Sequence, residues 1–256
     1  MTSRGRFDWL IAIAMACALL AGRVADARAD GVEPEAAAAL KRMTSHLGSL
    51  QSFSMQAAST LEVVLNSGQK VQFTAAARNV VRRPDRLWSE RVGDVISQTF
   101  LYNGRTLTIF NPADGYYATV PAPGNIDAML DFARDTLDVI APAGDLIASD
   151  AYERLMMDVT SGFVVGKSVV DGVRCDHLAF RAGAVDWQIW IEEGGRPLPR
   201  KYVITTLDVA QAPQFELVIS NWDTGATPAD RVFEFTPPAG ARSVEFLPAS
   251  GSGGQR

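Results

Sequence analysis

The stretch VDWQIWIEEGGRPLPRKYVIT, Val185 to Thr205, decides the fold class. Val185, Trp187, Ile189 and Ile191 alternate with Asp186, Gln188 and Trp190, the period-two pattern of a half-buried strand. Glu193-Gly194-Gly195 supplies the turn, because glycine takes positive φ without a Cβ clash. Pro197 and Pro199 keep the chain extended and withhold backbone donors until Arg200. Lys201 to Thr206 then returns as a β-branched strand. A long antiparallel hairpin results, and the other segments read as strands laid beside it.

Working outward, Pro34 to Leu50 reads as a helix with Leu40, Met43, Leu47 and Leu50 on one apolar face and Ala36 extending it. Glu33, Pro34 and Glu35 suit its N-terminal end. From Phe53 to Leu65 six of seven odd positions are apolar against two of six even ones, which settles a strand rather than a helix. Val71, Phe73, Ala75, Ala77 and Val81 continue the alternation after Ser67-Gly68. Arg86–Val92 and Val95–Tyr102 follow, and Asn103-Gly104 and Asp114-Gly115 mark further hairpins, completing a meander of six strands. The period then changes. Ile126, Met129, Leu130, Ala133, Leu137 and Ile140 recur at helical spacing, with Asn125 as N-cap and Pro142 as the stop. Asp150–Asp158 reads as a shorter helix, Asp150 and Glu153 resembling a capping box. Strands resume at Phe163–Val170, Val173–Arg181, the opening hairpin, Phe215–Trp222 and Val232–Phe235. Two packed sheets or one strongly curved antiparallel sheet would satisfy this order. The length of the first two strands favours the curved sheet, because long strands in one sheet coil. The expected class is therefore mainly β (α+β), with the N-terminal helix and two mid-chain helices on the concave side.

The ends have a different character. Arg4 and Arg6 precede Trp9–Ala21, an apolar run of thirteen that falls short of the ~20 residues a spanning helix needs. Ala27-Arg28-Ala29 follows as a small-x-small site, so residues 1–29 read as a cleaved secretory signal and the chain as periplasmic. An uncleaved anchor is the weaker alternative, given the short run. Cys17 follows a poor lipobox and reads as part of the apolar run. Residues 30–248 form one domain, and 249–256, rich in glycine and polar residues, form a tail without order of its own. The chain after residue 29 carries 20 basic and 27 acidic groups, a net of −7, which argues against nucleic acid and against electrostatic docking on anionic lipid. It retains a single cysteine, Cys175, so no internal disulfide can form and stability rests on burial.

With the element order in hand, the chain resembles a family of predicted periplasmic proteins of unknown function, itself similar to the LolA/LolB-type lipoprotein-carrier superfamily. The residues carrying the resemblance are Asn111-Pro112-Ala113-Asp114-Gly115-Tyr116-Tyr117, then Val170 through Leu178, then Trp190-Ile191 on to Pro197-Leu198-Pro199-Arg200-Lys201. It spans nearly the whole chain after residue 29. These motifs form a fold and specify no chemistry. The resemblance implies an open half-barrel whose concave face, lidded by helices, holds acyl chains; fold-level likeness alone does not assign a cargo.

Reactive chemistry is sparse. There are two histidines: His46, at the edge of the first helix's apolar face, and His177. Cys175 and His177 lie two apart on a strand, on one face about 7 Å apart, which permits a thiolate–imidazole pair. No third orienting group accompanies them, and an unpaired cysteine is commonly a buried structural residue. A hydrolase built on this pair is the weakest of three readings. No metal set, nucleophile elbow or phosphate-binding loop is present, and no cofactor is expected.

The remaining signal is apolar. Phe53, Met55, Leu61, Val63, Phe73, Trp187, Ile189 and Leu217 are in-pointing candidates on strands, with Met129, Phe132 and Met156 on helices. Packed on one another they are merely a core; parted, they line a groove for a hydrophobic ligand. Met129, Met156 and Met157 suit either role. The leading expectation is a non-enzymatic binder or carrier of lipid acyl chains or a lipidated protein, with an envelope lipoprotein as a partner. The alternative is an envelope interaction or scaffold domain with a filled core, pairing through a sheet edge after Arg231.

Overall fold

In chain order the elements are β1 (Gly31–Val32), α1 (Pro34–Ser49), β2 (Ser52–Val64), β3 (Lys70–Arg82), β4 (Arg86–Gly93), β5 (Ser97–Tyr102), β6 (Thr106–Asn111) and β7 (Tyr116–Pro121). Then come α2 (Ile126–Leu137), a 3-10 turn (Gly144–Ile147), α3 (Ala151–Leu155), β8 (Val159–Val170), β9 (Val173–Ala182), β10 (Val185–Glu192), β11 (Pro199–Thr206), β12 (Gln214–Asp223), a second 3-10 turn (Asp230–Phe233) and β13 (Arg242–Ser243). They are taken from a computed structural model that describes residues 31–139 and 143–246. The expected signal segment 1–29, the Pro142 stop and the 249–256 tail lie outside the described residues.

All thirteen strands belong to one sheet, in the order β1-β8-β9-β10-β11-β12-β2-β3-β4-β5-β6-β7-β13. Pairing is antiparallel except at the two ends, where β1 joins β8 and β13 joins β7 in parallel. Two meanders, β2–β7 and β8–β12, are thus stitched together by β12 and β2, and the outermost strands do not meet. The sheet is curved and unclosed, an open half-barrel, and the two-sheet alternative is excluded. Bulges in β8 between Val159/Ser161 and Val164/Gly166, and in β12 between Ser220/Asp223, add the local twist that curvature requires.

The Val185–Thr205 hairpin pairs as its alternation dictates, with Trp187 opposite Ile204 and Ile189 opposite Tyr202. Its return strand begins at Pro199, two residues before Lys201, because a bulge at Trp190/Ile191 lets Pro199 sit opposite Ile191. In register, one concave row runs Phe180–Trp187–Ile204–Phe215–Leu61–Phe73 and the next Leu178–Ile189–Tyr202–Leu217–Ser59–Ala75.

Helix α1 lays Ala36, Ala39, Leu40, Met43 and Leu47 against Leu178, Phe180, Trp187, Ile189 and Tyr202. Each of the large side chains contributes about 1.5–3 kcal/mol by leaving water. Helix α2 places Ile126, Met129 and Ala133 on a second cluster of Phe53, Val81, Leu87, Tyr102 and Leu107. Asn125 caps α2, its side chain accepting from the Ala128 N–H at 2.8 Å. The helix ends at Leu137, short of the expected Ile140, because Asp138 turns left-handed (φ 55°) and the Val139 N–H bonds back to Ala133 O.

Two local expectations are corrected. The Asp150–Glu153 capping box does not form: Asp150 makes no cap bond and instead pairs with Arg154, and α3 is only one turn. Val232–Phe235 is not a strand. Val232 and Phe233 close a 3-10 turn, Asp230–Phe233, that drives Phe233 into the convex side of the sheet, with Arg82 stacked 5.2 Å over the ring and Phe235 packed on Phe110 and Tyr117. The strand on that edge is Arg242–Ser243, eleven residues after Arg231.

Candidate functional site

Between the concave face and the lid formed by α2 and the first 3-10 turn lies a half-open cavity of about 210 Å³. Its cause is visible in the side chains. At the centre of the sheet β2 and β3 present Ala57, Ser59 and Ala77 to the cavity, with Ala57 directly opposite Ala77. On either side stand bulky clusters, Phe180, Trp187 and Tyr202 to one flank and Phe53, Leu87 and Tyr102 to the other. The clusters set how closely the helices approach, and the short side chains between them cannot fill the gap. Leu130, Val139, Leu146 and Ile147 roof it; Leu217, Ile219 and Trp222 wall one side, and Phe100 and Ile109 the other.

The sequence-expected residues divide among the cavity lining, the two core clusters and the surface beyond them. Met55 and Leu217 line the cavity. Phe53 and Met129, both fully buried, belong to the α2 cluster, while Trp187 and Ile189, with Met156 packed beside them, belong to the α1 cluster. Leu61, Val63 and Phe73 continue the concave surface toward the β2–β3 turn, where Leu61 is exposed and the other two are half-buried. Phe132 is half-buried on α2 outside the cavity lining. Sequence reasoning missed Phe100, Ile109, Ile219 and Trp222; the first three sit at the inward parity of their strands, while Trp222 reaches the cavity because the β12 bulge shifts the alternation. It also missed the small residues, whose signal was the run Ala57, Ser59, Ala75, Ala77 inside otherwise bulky alternating strands.

The cavity is not uniformly apolar. Its wall on β3–β5 carries Asn79, Ser89, Arg91 and Gln98, with Ser89 Oγ donating to Asn79 Oδ1 at 2.8 Å and Arg91 paired in register with Gln98. Among the described residues Arg91 is the only charged member of the lining. The roof is clamped by charge. Arg154 on α3 donates to both Asp131 oxygens on α2, at 2.6 and 3.1 Å, and Asp127 accepts from the Ser149 N–H at 2.8 Å. The Arg154 bond holds the Asp131 carboxyl below its ordinary range, against a smaller opposing effect of burial.

A family model for predicted periplasmic proteins matches residues 36–247. The chain belongs to the DUF2092 family. Membership makes this DUF2092 chain a periplasmic protein. No curated protein matches it in sequence. Among solved structures it is similar to LprF from Mycobacterium bovis at 15% identity, covering 79% of this chain and 99% of that one with a TM-score of 0.50. An uncharacterized conserved protein from Thermus thermophilus aligns at 11% identity over 82% of this chain and 99% of its own, TM-score 0.48. A LolA superfamily protein, NE2245 from Nitrosomonas europaea, aligns at 13% identity over 78% and 97%, TM-score 0.38. At 15% identity the LprF likeness concerns the fold alone. The open half-barrel seen here agrees with the one the LolA-type resemblance implies.

The Cys175–His177 pair is not arranged as a nucleophile and its base. Cys175 is wholly buried, and burial pushes its thiol up to about 11, away from the thiolate a nucleophile needs. His177 stacks on Trp190 at 4.0 Å and shares a 2.9 Å hydrogen bond with Gln188, while burial lowers its pKa. By register both stand on the face that carries Trp190 and Glu192, opposite the face of Ile189 and the cavity. Among the described residues no group of three or more potential metal ligands occurs.

Proposed function

We propose that this protein is a periplasmic, non-enzymatic binder or carrier of hydrophobic ligands, lipid acyl chains or the lipid of a lipidated protein. The observation that carries this reading is the half-open cavity lined chiefly by Met55, Phe100, Leu130, Ile147, Leu217 and Ile219. Space of this kind, mostly apolar with a few convergent polar groups, is the usual form of a small-molecule site. Each methylene moved into it from water gains ~0.8 kcal/mol, against an association cost of roughly 4–15 kcal/mol, so only chains burying most of their length are held. Helix α2 and the first 3-10 turn are the movable lid, released when the clamp between Asp131 of α2 and Arg154 of α3 parts.

An edge-pairing scaffold draws less support. It calls for a filled core, whereas a half-open cavity separates the sheet from its lid. The test is native mass spectrometry of the protein purified from membranes, together with displacement of the neutral probe N-phenyl-1-naphthylamine by fatty acids. Co-purified lipid and displacement are expected; their joint absence would refute the carrier reading.

A further inference from the structure

We infer that the ligand is an anionic amphiphile whose carboxylate or phosphate head is received by Arg91. The inference rests on the carrier reading and gives it a chemical class. Arg91 stands in the middle of β4 on the concave face, between Ala77 of β3 and Gln98 of β5. Its Nε is buried and makes no hydrogen bond among the described residues. Arg82, Arg86, Arg174, Arg181 and Arg200 are each matched to a carboxylate, of Asp230, Asp85, Glu193, Asp186 and Glu192, and the strand arginines without one among the described residues, Arg78 and Arg242, are exposed to water. Arg83, whose buried nitrogens are also unpaired, has Asp127 close enough to act on its charge. Arg91 has no such counterpart in the cavity, because no Asp or Glu among the described residues lines it.

A cation turned into a largely apolar space is costly unless an anion answers it. The guanidinium is planar and presents its donors as a fork, matching the oxygens of a carboxylate or phosphate. Gln98 opposite it and the Asn79–Ser89 pair beside it add neutral polar partners on the same wall. The facing surfaces, Leu130 and Ile147 of the lid and Leu217 and Ile219 of β12, offer only hydrocarbon. One polar wall and one greasy bed fit a head and a tail, and they fix the ligand's direction: head on β3–β5, chain across Ala57 toward β12.

The experiment compares three ligands of equal chain length, dodecanoate, dodecyl phosphate and 1-dodecanol, by displacement of N-phenyl-1-naphthylamine at pH 8. At least one anionic ligand should bind roughly tenfold or more tightly than the alcohol, the size of a charge-assisted hydrogen bond. Whichever anion leads identifies the headgroup source. In Arg91→Met that preference should vanish while dodecanol affinity stays within about twofold, and Arg91→Lys should keep part of it. Equal binding of all three to the wild type, or a preference that survives Arg91→Met, overturns the headgroup assignment and leaves the carrier reading standing. Binding of none overturns both. Should Arg91→Met fail to fold, Arg91→Gln takes its place, and an anion preference that survives there overturns the assignment.

Discussion

Filling the floor of the cavity separates a lipid site from an idle packing defect. Ala57 is the position to fill: it lines the cavity between Ile219 and Ala77 and lies two strands, about 10 Å, from Arg91, so a ring placed there leaves the guanidinium alone. Ala57→Phe adds six carbons to a void of about 210 Å³. Burying the ring gains ~1.5–3 kcal/mol, and fitting it into an imperfect space costs ~1–3 kcal/mol. The two nearly cancel, so unfolding free energy should move by no more than ~1–2 kcal/mol. Binding should respond far more. If the ring excludes roughly four methylenes of an acyl chain at ~0.8 kcal/mol each, affinity falls by ~3 kcal/mol, more than a hundredfold. Urea unfolding and probe displacement on the same preparation report both quantities. A folded Ala57→Phe that binds dodecanoate as tightly as the wild type would refute the reasoning, because the ligand would then lie elsewhere.

Further perturbations test the elements around the cavity. Phe233→Ala removes a ring fully buried on the convex side and should cost ~3–5 kcal/mol in urea unfolding, with ligand affinity unchanged. Arg154→Met should raise hydrogen exchange in α2, Ile126–Leu137, and speed ligand release, with a global stability loss under ~1 kcal/mol because Asp131 is substantially exposed. The same clamp is acid-labile: the Asp131 carboxyl is lowered by Arg154, so its contribution is present above the ordinary carboxylate pKa and disappears as pH falls through the lowered value. Lid exchange should therefore accelerate below about pH 4. Cys175 should resist iodoacetamide at pH 8.5 until urea unfolds the chain. Its raised thiol pKa stabilises the fold below the unfolded value near 8.5, a contribution lost as pH rises toward about 11.

Much of this architecture could be read in the chain because strand parity is a local property. Phe53 to Val64 and Val185 to Glu192 declare their faces by alternation, and Asn103-Gly104 and Asp114-Gly115 declare their turns. The failures share one cause, which is that the deciding interaction is remote in sequence. Val232–Phe235 has strand composition, but Phe233 is claimed by Arg82 and the back of β4 and β5, far earlier in the chain, and the backbone coils to deliver it. The α2 stop depends on one left-handed residue, Asp138, which no periodicity forecasts.

The cavity was legible in part, and the missing part is instructive. Reading for hydrophobicity selects the largest side chains, and in this fold the largest ones, Phe53, Trp187 and Ile189, fill space. A void forms where the inward positions of two long adjacent strands are small, at Ala57, Ser59 and Ala77, between strands whose inward positions are large. Size along the inward row, rather than apolarity, is therefore the variable that locates the hollow. The same row identifies what the hollow discriminates, since stepping from Ala57 to Ala77 and one strand further reaches Arg91, an unanswered charge at the edge of a hydrocarbon bed.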